Sequence, residues 1–211
     1  MELDYSRIFQ NFEDHLLKDE RPSKYFSEEI DKKYFSQYPL DMLKNLRDIP
    51  QSPKYHPEGN VWNHTMEVVD EAANRKNESE DKRVFMWAAL LHDIGKVPAT
   101  RVKKGRIIAY DHDRIGAALS VEFLENFTDE KEFIYRVSSL VRWHMQILFV
   151  VKDLPFANVE KMMEETSYKE IALLGLCDRL GRGELSHEEI KEEERAISKF
   201  IEKCESKYVE N

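Results

Sequence analysis

Hydrophobic residues recur at helical spacing along almost the whole chain. In residues 5–18, apolar side chains appear every three or four positions and acidic residues lie between them, the period of a helix that buries one face. These apolar residues are Ile8, Phe9, Phe12, Leu16 and Leu17. The same period predicts helices over residues 23–35, 40–46, 61–76, 114–127, 128–144, 158–165, 168–181 and 186–208. The pattern therefore predicts an all-α fold, a helical bundle.

The stretch 85–91 differs because it is apolar on most of its surface, as expected of a buried helix. It carries His92 and Asp93 inward, and a buried carboxylate is costly unless a cation or hydrogen-bond donors meet it. A metal ion would satisfy both side chains. Gly95 is expected to take the left-handed conformation that ends a helix, with Lys96 just beyond it. For the His-Asp pair alone, the alternative is an ordinary helix end with a capping histidine.

One segment, residues 97–110, is too rich in breakers and β-branched residues for a helix. A short β-hairpin or loop insertion that turns at Lys104 and Gly105 fits it. The basic residues of this segment suggest only a solvated turn. They are Arg101, Lys103, Lys104 and Arg106. We expect residues 1–50 to form a helical neck or lid packed on the body, 51–185 the main domain, and 186–211 a covering helix.

Composition narrows the class of protein. The 211 residues carry a net charge of -9, which argues against extended binding to a nucleic-acid backbone but allows a local basic cluster to hold a small phosphorylated ligand. No stretch is apolar for the roughly 20 residues that cross a bilayer, and residues 1–7 lack a signal-peptide pattern. We therefore expect a cytoplasmic protein without a membrane partner, with Cys177 and Cys204 as reduced thiols.

Further polar residues lie at or near the ends of apolar helices, as His92 and Asp93 do. They are His64, His112, His144 and Asp178. Helical bundles build metal sites from inward side chains on facing helices. Imidazole and carboxylate donors suit divalent Mn, Ni, Co, Fe or Zn better than Mg. The sequence therefore predicts a metal site. The alternative for Asp178 is a buried ion pair with Arg179 or Arg182.

Several ordered motifs resemble the HD-domain superfamily of metal-dependent phosphohydrolases, and in particular the C-terminal HD domain of bacterial tRNA nucleotidyltransferases. They lie in residues 56–65, 89–96 (Ala-Leu-Leu-His-Asp-Ile-Gly-Lys), 105–116, 143–144 and 178–182. The resemblance implies an HD-domain bundle in which His64, His92, Asp93 and Asp178 hold a first metal ion. It also implies that His112 and His144 match ligands of a second ion and that Lys96 contacts phosphate. Residues 1–50 are too few for a nucleotidyltransferase domain, so tail addition to tRNA is not implied.

The expected activity is hydrolysis of a phosphomonoester or phosphodiester in small nucleotides, such as 2′-nucleotides, 2′,3′-cyclic nucleotides or RNA ends, by water activated at one or two metal ions. Asp93 is placed to bridge metals or to accept the proton of the water. Lys96, Arg179 and Arg182 would bind the phosphate, although Arg182 could equally be a structural partner of Asp178. The alternative function is a non-catalytic module that senses a nucleotide.

Overall fold

One helix, α5 (Lys82–Leu91), lies at the centre of the protein, whose computed structural model describes residues 4–209 and the side chains of residues 4–207. Its residues from Val84 onward are all buried. Asp81 caps the first turn by accepting hydrogen bonds from the backbone N–H groups of Arg83 and Val84 at 3.1 and 3.2 Å. The last residue of α5 is followed at once by His92 and Asp93, so both start from the middle of the core.

Other helices surround α5, and four of them, α1, α4, α8 and α11, pack directly against it. The helices are α1 (Tyr5–Lys18), α2 (Ser23–Glu29), α3 (Asp41–Lys44), α4 (Val61–Arg75), α6 (Lys96–Ala99), α7 (His112–Glu125), α8 (Lys131–Trp143), α9 (Gln146–Val151), α10 (Val159–Glu165), α11 (Tyr168–Leu180) and α12 (His187–Val209). Short 3₁₀ turns span Lys33–Ser36, Asn45–Asp48 and Lys76–Glu78. The all-α prediction is confirmed. Among residues 4–209, no helix is both long enough and apolar enough to cross a membrane.

Some predicted helix bounds were wrong. The segments predicted over residues 23–35 and 40–46 each divide into an α-helix and a 3₁₀ turn. Helix α7 begins at His112, two residues earlier than predicted, because Asp111 just before it takes a left-handed conformation with φ of 57° that turns the chain into the helix. His112 is therefore in the first turn of α7 and is held by that helix.

The N-terminal helices lie against the same core. The Phe9 ring stacks on the Trp87 ring of α5 with 5.0 Å between centroids, and the Phe12 side chain is fully buried. At the other end of the chain, α12 packs on α9 and α11. The division into a neck over residues 1–50, a main domain and a covering helix stays a prediction.

The predicted hairpin is present as strands β1 (Arg101–Lys103) and β2 (Arg106–Ile108). Its turn has positive φ at Lys104 (51°) and Gly105 (72°), as a two-residue turn between twisted strands requires. Residues 101–106 are exposed. The hairpin thus projects from the helical body between α6 and α7.

The prediction for Gly95 was wrong, since its φ of -68° is right-handed. Glycine is required there by space: a Cβ would lie 2.0 Å from the backbone oxygen of His112 and 2.5 Å from the backbone nitrogen of Gly116. The turn that follows Asp93 therefore touches the backbone of α7. This contact brings the end of α5 and the start of α7 together.

Candidate metal centre

Four histidines from four parts of the chain surround the carboxylate of Asp93. Their Nε2 atoms lie 3.3 Å (His92) and 3.8 Å (His64) from Asp93 Oδ2, and 3.4 Å (His112) and 4.0 Å (His144) from Asp93 Oδ1. All five side chains are buried. The two oxygens of Asp93 thus face different pairs of imidazoles, one pair on each side.

Asp178, near the end of α11, joins the same cluster. Its Oδ1 lies 3.1 Å from Nε2 of His64. Helix α11 packs against α4, α5 and α8, which places this carboxylate beside the residues that end α5 and α8. All six side chains predicted from the sequence as metal ligands are therefore brought together, whereas their role as ligands stays a prediction.

The imidazole rings are oriented by backbone carbonyls. In three of them Nδ1 lies 2.7–2.8 Å from the carbonyl oxygen three residues earlier, namely His92 with Ala89, His112 with Ala109 and His144 with Val141. Because a carbonyl only accepts, each Nδ1 carries the hydrogen, and Nε2 of each ring faces the cluster. Metal-binding histidines are commonly held in this way.

A buried carboxylate, Glu58, orients the fourth ring. Nδ1 of His64 lies 2.8 Å from the backbone oxygen of Gly181 and 3.0 Å from Oε1 of Glu58, whose side chain is 1% exposed. The same Oε1 lies 2.8 Å from Nδ1 of His56. Neither Glu58 nor His56 was predicted as a site residue, because both lie in a breaker-rich loop. Their one signal is that they belong to the residues 56–65 that carry the family resemblance.

The carboxylates of the cluster are ionised. Burial by itself would raise the pKa of Asp93, but Lys96 and His92 outweigh it and hold that pKa well below its usual value. Burial likewise opposes ionisation of Asp178, and Arg182 and His64 hold its pKa well below the usual range. The site thus keeps two negative charges available to a cation, one buried at Asp93 and one partly buried at Asp178.

Two of these histidines have pKa values shifted in opposite directions, His64 upward and His144 downward. Burial disfavours the charged form of His64, but Asp178 and Glu58 outweigh it and raise its pKa to about 9. Burial lowers the pKa of His144 to about 4, with His112 and His92 adding to the effect. His144 is therefore a neutral donor at pH 7, whereas a metal at His64 must displace a proton.

The residues present fit a divalent metal. Two buried donor groups, His64 with His92 and Asp93, and Asp93 with His112 and His144, each have ligand atoms within 4.8 Å of one another and share Asp93. Nε2 of His92 is buried and has no hydrogen-bond partner among the described residues. A buried imidazole nitrogen without a partner is costly, and a cation at this point would remove that cost.

The donor cluster adjoins a cleft of about 970 Å³, and three cations lie beside the donors in its lining. Nζ of Lys96 lies 2.7 Å from Asp93 Oδ2 and 2.6 Å from Oε1 of Gln51. Arg179 is hydrogen-bonded to Glu193, and Nη2 of Arg182 lies 3.4 Å from Asp178 Oδ1. All three cations line the cleft. The ion pair of Arg182 with Asp178, one of the two alternatives for this residue, is present, whereas phosphate binding by the three cations stays a prediction.

Comparison with known proteins identifies the same family. The sequence model of the HD-domain family matches residues 61–199, more than half of the chain. An A-adding tRNA nucleotidyltransferase of Deinococcus radiodurans is 32% identical over 109 residues, which are 50% of this chain and 24% of the relative. Multifunctional CCA proteins are similar too: that of Pasteurella multocida is 33% identical over 86 residues (40% of this chain, 20% of the relative), and that of Azoarcus sp. is 29% identical over 153 residues (68% and 35%).

This chain thus spans between 20% and 35% of the length of these three relatives, and the matched part is their HD region. The resemblance to tRNA nucleotidyltransferases is confirmed for that region. The match to the family model covers α4, α5 and α11, which carry or directly precede His64, His92, Asp93 and Asp178. The chain therefore belongs to the HD-domain superfamily of metal-dependent phosphohydrolases.

Proposed function

We propose that this protein is a metal-dependent phosphohydrolase that acts on small nucleotides, such as 2′-nucleotides or 2′,3′-cyclic nucleotides. The observation that carries the proposal is the buried pair of donor groups that share Asp93 and adjoin a lysine at the wall of an open cleft. This arrangement supports a phosphate bound between the metal donors and a cation. The tRNA-directed names of the relatives are consistent with a nucleotide substrate.

In this proposal His64, His92, Asp93 and Asp178 would hold a first ion, and Asp93, His112 and His144 would hold a second ion. When bound, a divalent ion lowers the pKa of water toward neutrality and offsets phosphate charge. The N and O donors favour Mn, Ni, Co, Fe or Zn over Mg.

The protein's own groups then position the substrate and its charge. Lys96, fixed by Gln51 and Asp93, is directed at the cleft wall, where it binds a phosphoryl oxygen and stabilises negative charge that develops on phosphorus. Arg182 and Arg179 also line the cleft, where they pair with Asp178 and Glu193. Because the pKa of Asp93 is held well below its usual value, Asp93 is a weak proton acceptor, which favours a role in metal binding over general-base action.

Removal of metal tests the proposal. After dialysis against a chelator, we expect hydrolysis of 2′-AMP and 2′,3′-cyclic AMP to fall about 100-fold, because activated water and charge neutralisation are lost together. Separate addition of Mn²⁺, Co²⁺ and Ni²⁺ should restore it, and a mock-dialysed sample serves as the control. Metal analysis of the same samples relates rate to bound ion. Activity unchanged by both treatments would contradict a metal role.

Glu58 should strengthen metal binding through His64. In Glu58→Gln the side chain keeps its shape and an acceptor oxygen but loses its charge, which makes Nε2 of His64 a weaker donor to a cation. We expect the affinity for Mn²⁺ to fall about 10-fold, at the low end for such partners, because the carbonyl of Gly181 still holds the ring. Competition with a fluorescent chelator measures it.

The matched control is Glu164→Gln, which removes the charge of an exposed carboxylate on α10. Its affinity for Mn²⁺ should equal that of the wild type. Equal affinity in Glu58→Gln and Glu164→Gln would show that Glu58 has no influence on the metal donors.

A further inference from the structure

The β-hairpin carries four exposed cations that the proposed chemistry does not use. They are Arg101, Lys103, Lys104 and Arg106. Within the part of the chain whose side chains are described, none of them forms an ion pair with a carboxylate. The protein has 41 acidic residues and a net charge of -9, so acidic partners are abundant elsewhere on its surface. A cationic cluster without such partners is a local exception to the overall charge.

Hairpin stability does not explain these residues. Lys103 lies directly opposite Arg106 in the antiparallel pair, and like charges at opposed positions destabilise strand pairing. Lys104 occupies a left-handed turn position with φ of 51°, where glycine or asparagine is favoured. The cations therefore act against the local fold, which is expected of residues retained for a ligand.

The register places the cations beside the cleft. Residues opposed across the two strands share a face, as do residues two positions apart, so Arg101, Lys103 and Arg106 lie on the same face as Ile108. Ile108, and Ile107 on the opposite face, both line the cleft that contains Asp93 and Lys96, and the four cations lie just outside this lining. The hairpin cations thus adjoin residues that line the cleft and add positive charge outside its edge.

An exposed aromatic ring completes this surface. Tyr110, two residues after β2, also lines the cleft, yet its side chain is 72% exposed. Large exposed aromatic rings next to a row of cations are the elements with which proteins hold single-stranded nucleic acids, through base stacking and phosphate contacts. A lone mononucleotide bound at Asp93 would leave the hairpin cations unused.

We propose that the hairpin and Tyr110 bind a short single strand of nucleic acid whose phosphorylated end enters the metal centre. This inference rests on the proposed function and narrows its substrate to the end of a strand. Internal phosphates contact Arg101, Lys103 and Arg106, and the base next to the end stacks on Tyr110. The net negative charge confines the contact to a few phosphates, so extended duplex binding is still not expected.

Binding can be measured without turnover. The probes are fluorescein-labelled single-stranded decamers of RNA and of DNA that end in a 3′-phosphate, titrated with the full chain in chelator and followed by anisotropy. For Arg101→Gln/Lys103→Gln/Arg106→Gln, the loss of three phosphate contacts should reduce the slope of log affinity against log salt by about 2. This change in slope means that, at 0.1 M salt, the triple variant should bind the decamers about 100-fold more weakly than the wild type does. The RNA and DNA arms show which backbone is preferred.

A matched control removes three other exposed cations, in Arg7→Gln/Lys24→Gln/Lys33→Gln on the N-terminal segment. It has the same change in net charge and should bind the decamers as the wild type does. Equal losses in the two triple variants would overturn the proposal, because overall charge would then explain the binding. Binding by the wild type to vesicles with anionic lipid but not to the decamers would also overturn it. Thermal melting verifies that the hairpin variant is folded.

Tyr110 provides an independent test. Tyr110→Ala should weaken binding of the decamers at least 5-fold through lost stacking, whereas Tyr110→Phe keeps the ring and should bind as the wild type does. Equal affinity of Tyr110→Ala and wild type would exclude the stacking contact. If the decamers bind as expected while all samples lack hydrolase activity, the proposed function fails and the strand-binding surface stands. If instead the protein hydrolyses 2′-AMP but does not bind the decamers, the strand-binding surface fails and the proposed function stands.

Discussion

Replacement of Asp93 by alanine is expected to abolish hydrolysis almost completely. The two Asp93 oxygens face separate pairs of imidazoles and Oδ2 also pairs with Lys96, so one substitution removes the residue shared by both donor groups and the ion-pair partner of Lys96. Loss of several kcal/mol of transition-state stabilisation reduces kcat/KM by about 10³-fold. Bound Mn²⁺ should fall in parallel. Steady-state kinetics on 2′,3′-cyclic AMP with metal analysis of the same preparations measures both effects.

Two further variants make this result specific. Asp93→Asn keeps the shape of the side chain and removes its charge, and it should lose turnover to a similar extent. Asp129→Ala removes an exposed carboxylate on the loop before α8 and should retain wild-type kcat/KM and metal content. A kcat/KM for Asp93→Ala within 10-fold of wild type is incompatible with the proposed metal centre.

The same variants separate hydrolysis from nucleotide sensing. If the protein is a sensor, the wild type itself shows no turnover. In that case Asp93→Ala could still bind nucleotide through Lys96 and the cleft. An enzyme shows turnover in the wild type and loses it in the variant. The presence of all six donor side chains in one cluster favours the enzyme, since a sensor has no need of two complete donor groups.

Hydrophobic periodicity was sufficient to predict most of the fold. The bounds of α1 were predicted without error because one face of that helix is apolar at each turn and the other is charged. The hairpin turn at Lys104 and Gly105 was also predicted correctly, since breakers isolate it from both neighbouring helices. Periodicity was insufficient at residues 23–35, where apolar residues continue at helical spacing through a change from α-helix to 3₁₀ turn. Backbone hydrogen bonds decide that change, and they leave no mark on the hydrophobic pattern.

In the candidate site, too, some residues were predictable from the sequence and others were not. Histidines and aspartates at the ends of apolar helices were identifiable because the apolar residues before them fix their burial. Glu58 was not, since a loop residue becomes buried only when α4 and α11 close around it. The proximity of Gly95 to α7 was also hidden, because contacts between distant backbones depend on tertiary packing alone. Sequence thus predicted the donors of the site better than the groups that hold the donors in place.

Gly95→Ala is expected to destabilise the fold more than any of the other substitutions. The φ of -68° suits alanine, so the backbone conformation carries no cost. The added Cβ would lie 2.0 Å from the His112 backbone oxygen and 2.5 Å from the Gly116 backbone nitrogen, and neither atom can rotate away as a flexible side chain would. Overpacking of this kind costs about 3 kcal/mol or more. In a chain of this size such a loss lowers Tm by roughly 6–12 °C.

Gly105→Ala is the matched control because, unlike Gly95, Gly105 has space for a Cβ but a left-handed backbone conformation. No atom lies within 4 Å of its added Cβ, but its φ of 72° is left-handed, so the expected cost is only about 1–2 kcal/mol of local conformational energy. Urea unfolding of both variants distinguishes steric from conformational loss. Because Gly95 holds the start of α7 against the residues after Asp93, its substitution should also move His112 away from Asp93 and weaken Mn²⁺ binding, an effect that Gly105→Ala lacks. Stability of Gly95→Ala within about 1 kcal/mol of wild type, well below the cost of overpacking, would show that α7 does not contact this turn in solution.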